Sequence, residues 1–123
     1  MNTSVKVLIA EDSQSTRLAL RTVLEFHNFA TVAEAKDGEE AVAAYKKEHP
    51  DLVLMDIAMP KKHGIDAIAE IIAFDHAAKI VAITALYSPE KRKAAMDAGA
   101  AAVVSKPFDV PDLIKTIRAI LTS

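Results

Sequence analysis

Five residues of this sequence carry side chains that could work together: Glu11, Asp12, Asp56, Thr84 and Lys106. Three carboxylates gathered into one pocket repel one another, so such a pocket holds protons or a cation. The donors are all oxygen, there is no Cys, and His27, His49, His63 and His76 are scattered without ligand spacing. A hard, octahedral ion is therefore expected, Mg²⁺ or Mn²⁺. A divalent ion beside a carboxylate, with an ammonium and a hydroxyl opposite, suits phosphoryl transfer. An ionised carboxylate is already a nucleophile and needs no adjacent base. Asp56 would then attack phosphorus and become an acyl phosphate, while the metal and Lys106 neutralise the phosphoryl oxygens.

The elements that must bring these residues together can be read from the apolar runs. Leu52-Val53-Leu54-Met55 is a continuous apolar stretch ending on Asp56, the pattern of a strand buried on both faces of a parallel sheet. Ile57-Ala58-Met59-Pro60 follows, and proline ends any regular element. Val5–Ala10 is a strand running into Glu11-Asp12, with Asp12 or Ser13 as N-cap of the helix that carries Leu20, Val23 and Leu24. Thr31–Ala35 has a mid-strand Glu34, which suits an edge strand. Asp37 and Glu40 form a capping-box-like pair opening a second helix, which Pro50 helps to close. Ile65, Ile68 and Ile72 stripe a third helix, and Ile80–Ile83 is a buried strand ending at Thr84. Ser88-Pro89 opens a helix over Glu90–Ala98, stopped by Gly99. Ala101–Ser105 is a fifth strand ending at Lys106-Pro107, and Asp109 caps a last helix striped by Leu113, Ile117, Ile120 and Leu121.

Five strands alternating with five helices predict an α/β, doubly wound parallel sheet of order 2-1-3-4-5, flavodoxin-like in arrangement. In that order the carboxyl ends of strands 1, 3, 4 and 5 are neighbours and collect the five residues at one edge. At 123 residues, with 51% hydrophobic and 26% charged, the chain is one domain with a real core. A net charge of −2 offers nucleic acid or an anionic membrane no long-range attraction. Only Gly38, Gly64 and Gly99 are present, so a dinucleotide fingerprint and a P-loop are excluded. The N-terminus lacks a signal-peptide apolar region and no spanning segment is evident, which predicts a cytoplasmic protein.

The sequence resembles the receiver domain of two-component response regulators over essentially its whole length. The matching residues are Glu11-Asp12, Asp56 with Met59-Pro60 and Gly64, Thr84-Ala85, Ala98-Gly99-Ala100 and Lys106-Pro107-Phe108. Each is weak alone, and together, in order, they are specific. The resemblance implies that Asp56 is the phosphoacceptor, charged by a phosphohistidine on a kinase or by a small phosphodonor. It implies that Asp12 and Asp56 ligate Mg²⁺ directly, with Glu11 reaching it through water and the Ala58 carbonyl completing the protein ligands. Lys106 would pair with Asp56 at rest, Thr84 would give its hydroxyl to the phosphate and draw the following loop inward, and Lys106–Pro107 would be cis. The expectation is a single receiver domain over 1–123 without an effector domain, monomeric at rest and not an enzyme in the ordinary sense. It would be served by a histidine kinase or phosphotransfer protein and would act on an output protein the sequence does not name.

The departures from the family pattern are specific. Three residues before the lysine, where the family often has Tyr or Phe, stands Val103, which cannot swing as an aromatic switch; Tyr87, in the loop after Thr84, reads first as a half-buried loop tyrosine, with reporting of the loop's movement as the alternative. Ala58 and Leu86, two residues past Asp56 and Thr84, are apolar where a hydrolytic water would approach, and are expected to help set the acyl-phosphate lifetime. Ala101 and Ala102 replace the acidic residues used for dimerisation by the winged-helix class, although Arg118 is kept. Lys91, Arg92 and Lys93 read as a solvated helix face. Chemotaxis-type output is the leading expectation, a phosphorelay intermediate the next, and a phosphate-independent scaffold the alternative from another class. A Mg²⁺-dependent phosphohydrolase would need an acid–base residue where Ala58 stands, and a flavin-binding protein would need a phosphate loop where Glu11-Asp12 would repel the ligand.

Overall fold

The computed structural model describes residues 5–59, 61–85 and 88–122. Five strands form one parallel sheet: β1 (Val5–Ala10), β2 (Phe29–Ala35), β3 (Leu52–Asp56), β4 (Ile80–Thr84) and β5 (Ala102–Ser105), in the order β2-β1-β3-β4-β5. Five helices alternate with them: α1 (Gln14–Phe26), α2 (Gly38–Glu48), α3 (Gly64–Phe74), α4 (Pro89–Ala98) and α5 (Val110–Leu121). The expected topology is the observed one.

The unbroken apolar runs are explained by two cores, one on each sheet face. Leu8, Val53, Met55, Ile80 and Ala82 pack towards Ala41, Ile68, Ile71 and Ala95 of α2, α3 and α4. Val7, Ile9, Leu52, Leu54, Val81 and Ile83 pack towards Leu20, Leu24, Leu113 and Ile117 of α1 and α5. Alternate residues of each strand serve opposite cores, so every position of β3 and β4 is buried. Met55 and, from the loop after β3, Met59 are both buried in the core shared with α2, α3 and α4. Among the five helices α4 is the least anchored, with Ala95 its single buried residue.

Several boundaries differ from the sequence reading. β2 begins at Phe29 rather than Thr31, because Phe29 and Ala30 pair with Val5 and Lys6 of β1. The register then shifts at Val7/Leu8, a bulge of the kind edge strands use. Of the two N-cap candidates for α1, Ser13 is the one used, accepting the Thr16 N–H at 3.3 Å. Asp37 caps α2 through the Glu40 N–H at 2.8 Å, and Glu40 returns a bond to the Lys36 N–H at 3.0 Å. Asp109 holds the N-cap position of α5 but makes no capping bond; its carboxyl, desolvated and facing Asp112, is pushed above the usual carboxylate range. Gly99 ends α4 at φ 121°, a left-handed region where a side chain is strained and would also meet Ile72.

Candidate functional site

The site forms because parallel strands end together. β1, β3, β4 and β5 lie side by side, so the residues at their carboxyl ends share one edge. The ends are stitched to one another: the Glu11 N–H donates to the Ala35 carbonyl at 2.9 Å, Ile57 to Ile83 at 3.0 Å, and Lys106 to Thr84 at 2.7 Å. The last of these ties the lysine loop to the end of β4.

Carboxylate oxygens of Glu11, Asp12 and Asp56 all lie within 4.8 Å of one another. Glu11 and Asp56 are buried, at 2% and 5% exposure, while Asp12 stands at the opening. Asp56 is oriented by the Ala58 N–H, which donates to its Oδ1 at 3.0 Å, and Glu11 Oε2 accepts the Ser13 N–H at 2.9 Å. Lys106 Nζ is 3.5 Å from Asp56 Oδ2 and hydrogen-bonds directly to Glu11 Oε1. Lys106 therefore divides its charge between two carboxylates, with Glu11 the nearer, where the resemblance implied Asp56 as its resting partner. The physical reason is burial: Glu11 needs a counter-charge as much as Asp56 does.

The electrostatics are those of crowding. Asp12 is held above the usual carboxylate range, chiefly by its hydrogen bond with Glu11, then by partial burial and the Glu11 charge. Burial alone would lower the Lys106 ammonium, but its hydrogen bond to Glu11 and the charges of Asp56 and Glu11 outweigh this and raise it. Thr84 is fully buried at the end of β4. Gly64 opens α3 directly beneath the acceptor: a Cβ there would lie 2.3 Å from the Asp56 carbonyl oxygen. This close approach gives the glycine after Met59 its purpose. Lys106–Pro107 is cis.

All five residues singled out in the sequence thus converge. Val103 is half-buried and packed against the core shared with α2, α3 and α4. His49, His63 and His76 are exposed and His27 half-buried, its ring on the Val23 carbonyl at 2.9 Å. Leu86 and Tyr87 lie outside the described residues, as does Pro60. Asp37, the buried N-cap of α2, also reaches the loop after β3, its Oδ2 3.7 Å from Lys61 Nζ. One contributor was missed. Arg17 lies along the back of the acidic turn, its Nη1 donating to the Glu11 carbonyl at 2.7 Å. The signal for Arg17 was present as an arginine in the first turn of a helix, the end where a cation is unfavourable.

A family model for the response regulator receiver domain matches residues 7–118. The chain belongs to that family, whose members are signalling phosphoacceptor domains that bind Mg²⁺ at an acidic pocket. It is 43% identical over 118 residues to the chemotaxis protein CheY of Halobacterium salinarum, a match covering 96% of this chain and 98% of that protein. It is 45% identical over 113 residues to the transcriptional regulatory protein PdtaR of Mycobacterium tuberculosis, covering 92% of this chain but 55% of that protein. Among solved structures, a chain of the CheX–CheY–BeF3–Mg²⁺ complex from Borrelia burgdorferi superposes with a TM-score of 0.93 at 32% identity, covering 97% of this chain and 90% of that one. Among the described residues no helix is long and apolar enough to cross a membrane.

Proposed function

We propose that this protein is a phosphorylation-dependent switch in which Asp56 accepts a phosphoryl group from a histidine kinase or phosphotransfer protein and the protein then binds a chemotaxis-type output partner. The observation that carries the reading is the cluster itself: a buried carboxylate, Asp56, with two further carboxylates and one ammonium around it. An oxygen-only donor set of this size fits Mg²⁺. Asp12 and Asp56 would hold it directly, with Glu11 through water and the Ala58 carbonyl as the remaining protein ligand. When bound, the ion supplies charge neutralisation at the phosphoryl oxygens.

The chain's own residues account for the rest. A carboxylate oxygen of Asp56, oriented by the Ala58 N–H, attacks phosphorus. The bond from phosphorus to the donor's imidazole nitrogen breaks, and the imidazole leaves with the electron pair. Lys106 moves its charge from the carboxylates to the new phosphoryl group, and the Thr84 hydroxyl turns to it. Phosphate brings roughly 1.5–2 negative charges into a pocket already crowded with carboxylates, so the loop after β4 and the lightly anchored α4 are the elements that respond. The output surface is then α4, β5 and α5, with apolar Ala101 and Ala102 at the start of β5 and its approach.

Intact mass after incubation with phosphoramidate or acetyl phosphate and Mg²⁺, for wild type and Asp56→Asn, tests this. One phosphoryl adduct that needs Mg²⁺ and disappears in Asp56→Asn is expected. A half-life of minutes or less fits chemotaxis-type output, and one of hours points to a relay. No adduct with either donor would leave only the scaffold reading.

A further inference from the structure

Arg17 occupies an unfavourable place for a cation, in the first turn of α1, and is nevertheless largely buried, its side chain 17% exposed. Its guanidinium is used on two sides. Nη1 donates to the Glu11 carbonyl at 2.7 Å and to the Asp12 carbonyl at 3.3 Å. Nε pairs with Glu34 Oε1 at 3.2 Å, and Arg21 Nη1 supports the other Glu34 oxygen at 3.4 Å. Glu34 lies on edge strand β2, in register with Ile9 of β1. The acidic turn is thus clamped to the sheet edge from behind, while its front face presents the carboxylates. Asp12 needs such a clamp most: it is exposed and faces like charge, so its place beside Asp56 depends on the backbone that carries it.

We propose that Arg17, anchored by Glu34, is a positioning residue that holds the Glu11–Asp12 turn in its metal-binding geometry. The proposal rests on the Mg²⁺ reading above. A planar fork can span Glu34 and two carbonyls at once, which a lysine ammonium cannot. Positioning and simple charge also predict opposite signs. Removing a nearby cation makes the pocket more negative and should tighten Mg²⁺, whereas releasing the turn should weaken it.

The test titrates Mg²⁺ alone into the metal-free full chain by calorimetry, with amide hydrogen exchange at Glu11, Ser13 and Thr16 followed on the same samples. Arg17→Met and Arg17→Lys should each weaken Mg²⁺ about tenfold, the scale seen when groups orienting metal ligands are removed, and should speed Ser13 exchange. Glu34→Gln should shift both readouts the same way by less; because loss of its charge also weakens Mg²⁺, its faster Ser13 exchange is the readout that serves if an Arg17 variant does not fold. Tighter Mg²⁺ binding in Arg17→Met with unchanged binding in Arg17→Lys would overturn the proposal in favour of charge alone. Unchanged exchange in Arg17→Met would overturn it by showing that the turn does not depend on the guanidinium. Wild-type protein without Mg²⁺ binding would remove the metal reading and this inference together; binding in wild type that the Arg17 and Glu34 variants all retain removes the inference alone.

Discussion

The two ends of the sheet are both polar, but among the described residues they are compensated differently. The amino end is crossed by one-to-one pairs: the Lys6 N–H with Asp51 Oδ2 at 2.9 Å, the Tyr45 hydroxyl with Asp75 Oδ2 at 2.7 Å, and Lys79 Nζ with the Leu121 carbonyl at 3.4 Å. At the carboxyl end three carboxylates converge on one ammonium. Cavities do not tell the ends apart, since about 540 Å³ opens beside Tyr45 and about 580 Å³ beside the Asp56 loop. Polarity and volume are therefore poor guides here. A surplus of like charge held together at a cost to stability is the better one, because folding alone has no use for it.

The first way to break this contrast is steric. Gly64→Ala places a methyl group 2.3 Å from the Asp56 carbonyl oxygen and 2.5 Å from Ile57 Cα, both backbone atoms that cannot rotate away. A loss of about 3 kcal/mol in urea unfolding is expected, at the upper end for overpacking. A loss below about 1 kcal/mol would mean that the loop yields and that the carboxyl end is not rigidly built.

The second is ionic. If the carboxyl end is the binding end, Mg²⁺ at a hundred times its dissociation constant should stabilise the protein by about 2.7 kcal/mol, seen as a raised thermal midpoint. Asp56→Asn should abolish most of that gain, and Asp51→Asn and Asp75→Asn at the amino end should keep it. Equal losses at both ends would erase the distinction.

How far the contrast was legible beforehand depends on what set each residue's place. Asp56, Thr84 and Lys106 end apolar runs, and a buried parallel strand can only be apolar, so sequence alone located them and the sheet order gathered them. Ser13 against Asp12 as N-cap was open because both side chains can cap and only the entry angle of the chain decides. The start of β2 was missed because Phe29-Ala30 has no alternation to mark it, and pairing with β1 rather than propensity makes it a strand. Arg17 and Glu34 meet across seventeen positions, a contact that no local pattern encodes. Lys106's preference for Glu11 likewise depends on relative burial, which exists only once the fold does.

At the amino end, Tyr45→Phe should cost about 1 kcal/mol, the worth of one hydrogen bond, and leave Mg²⁺ affinity untouched. Burial, and then the bond to Asp75, raise the Tyr45 phenol above its ordinary value of 10.0. The folded state therefore keeps this proton longer than the unfolded chain. Stability from this source is complete below pH 10.0 and is lost as pH rises beyond it, so the wild type should fall off on the alkaline side more steeply than the Phe variant. Parallel alkaline profiles would show that Tyr45 is solvated in the fold.

The smallest effect is the most discriminating. Asp12→Asn removes one of the crowded charges from an exposed position, so the metal-free protein should become more stable by roughly 0.5 kcal/mol. Asp12 is raised above its ordinary value of 3.8, which means that the folded state holds this proton more tightly than the unfolded chain. Ionising it therefore opposes folding at neutral pH. That opposition fades as pH falls through the raised value and is gone below 3.8. The advantage of Asn should accordingly be greatest near neutrality and shrink on acidification. Saturating Mg²⁺ should reverse the order, because the wild type then gains a ligand that the variant binds weakly. Denaturant titrations at several pH values, with and without Mg²⁺, read all three. A variant less stable than wild type without metal would mean that Asp12 is already compensated, and would place the carboxyl end in the same class as the amino end.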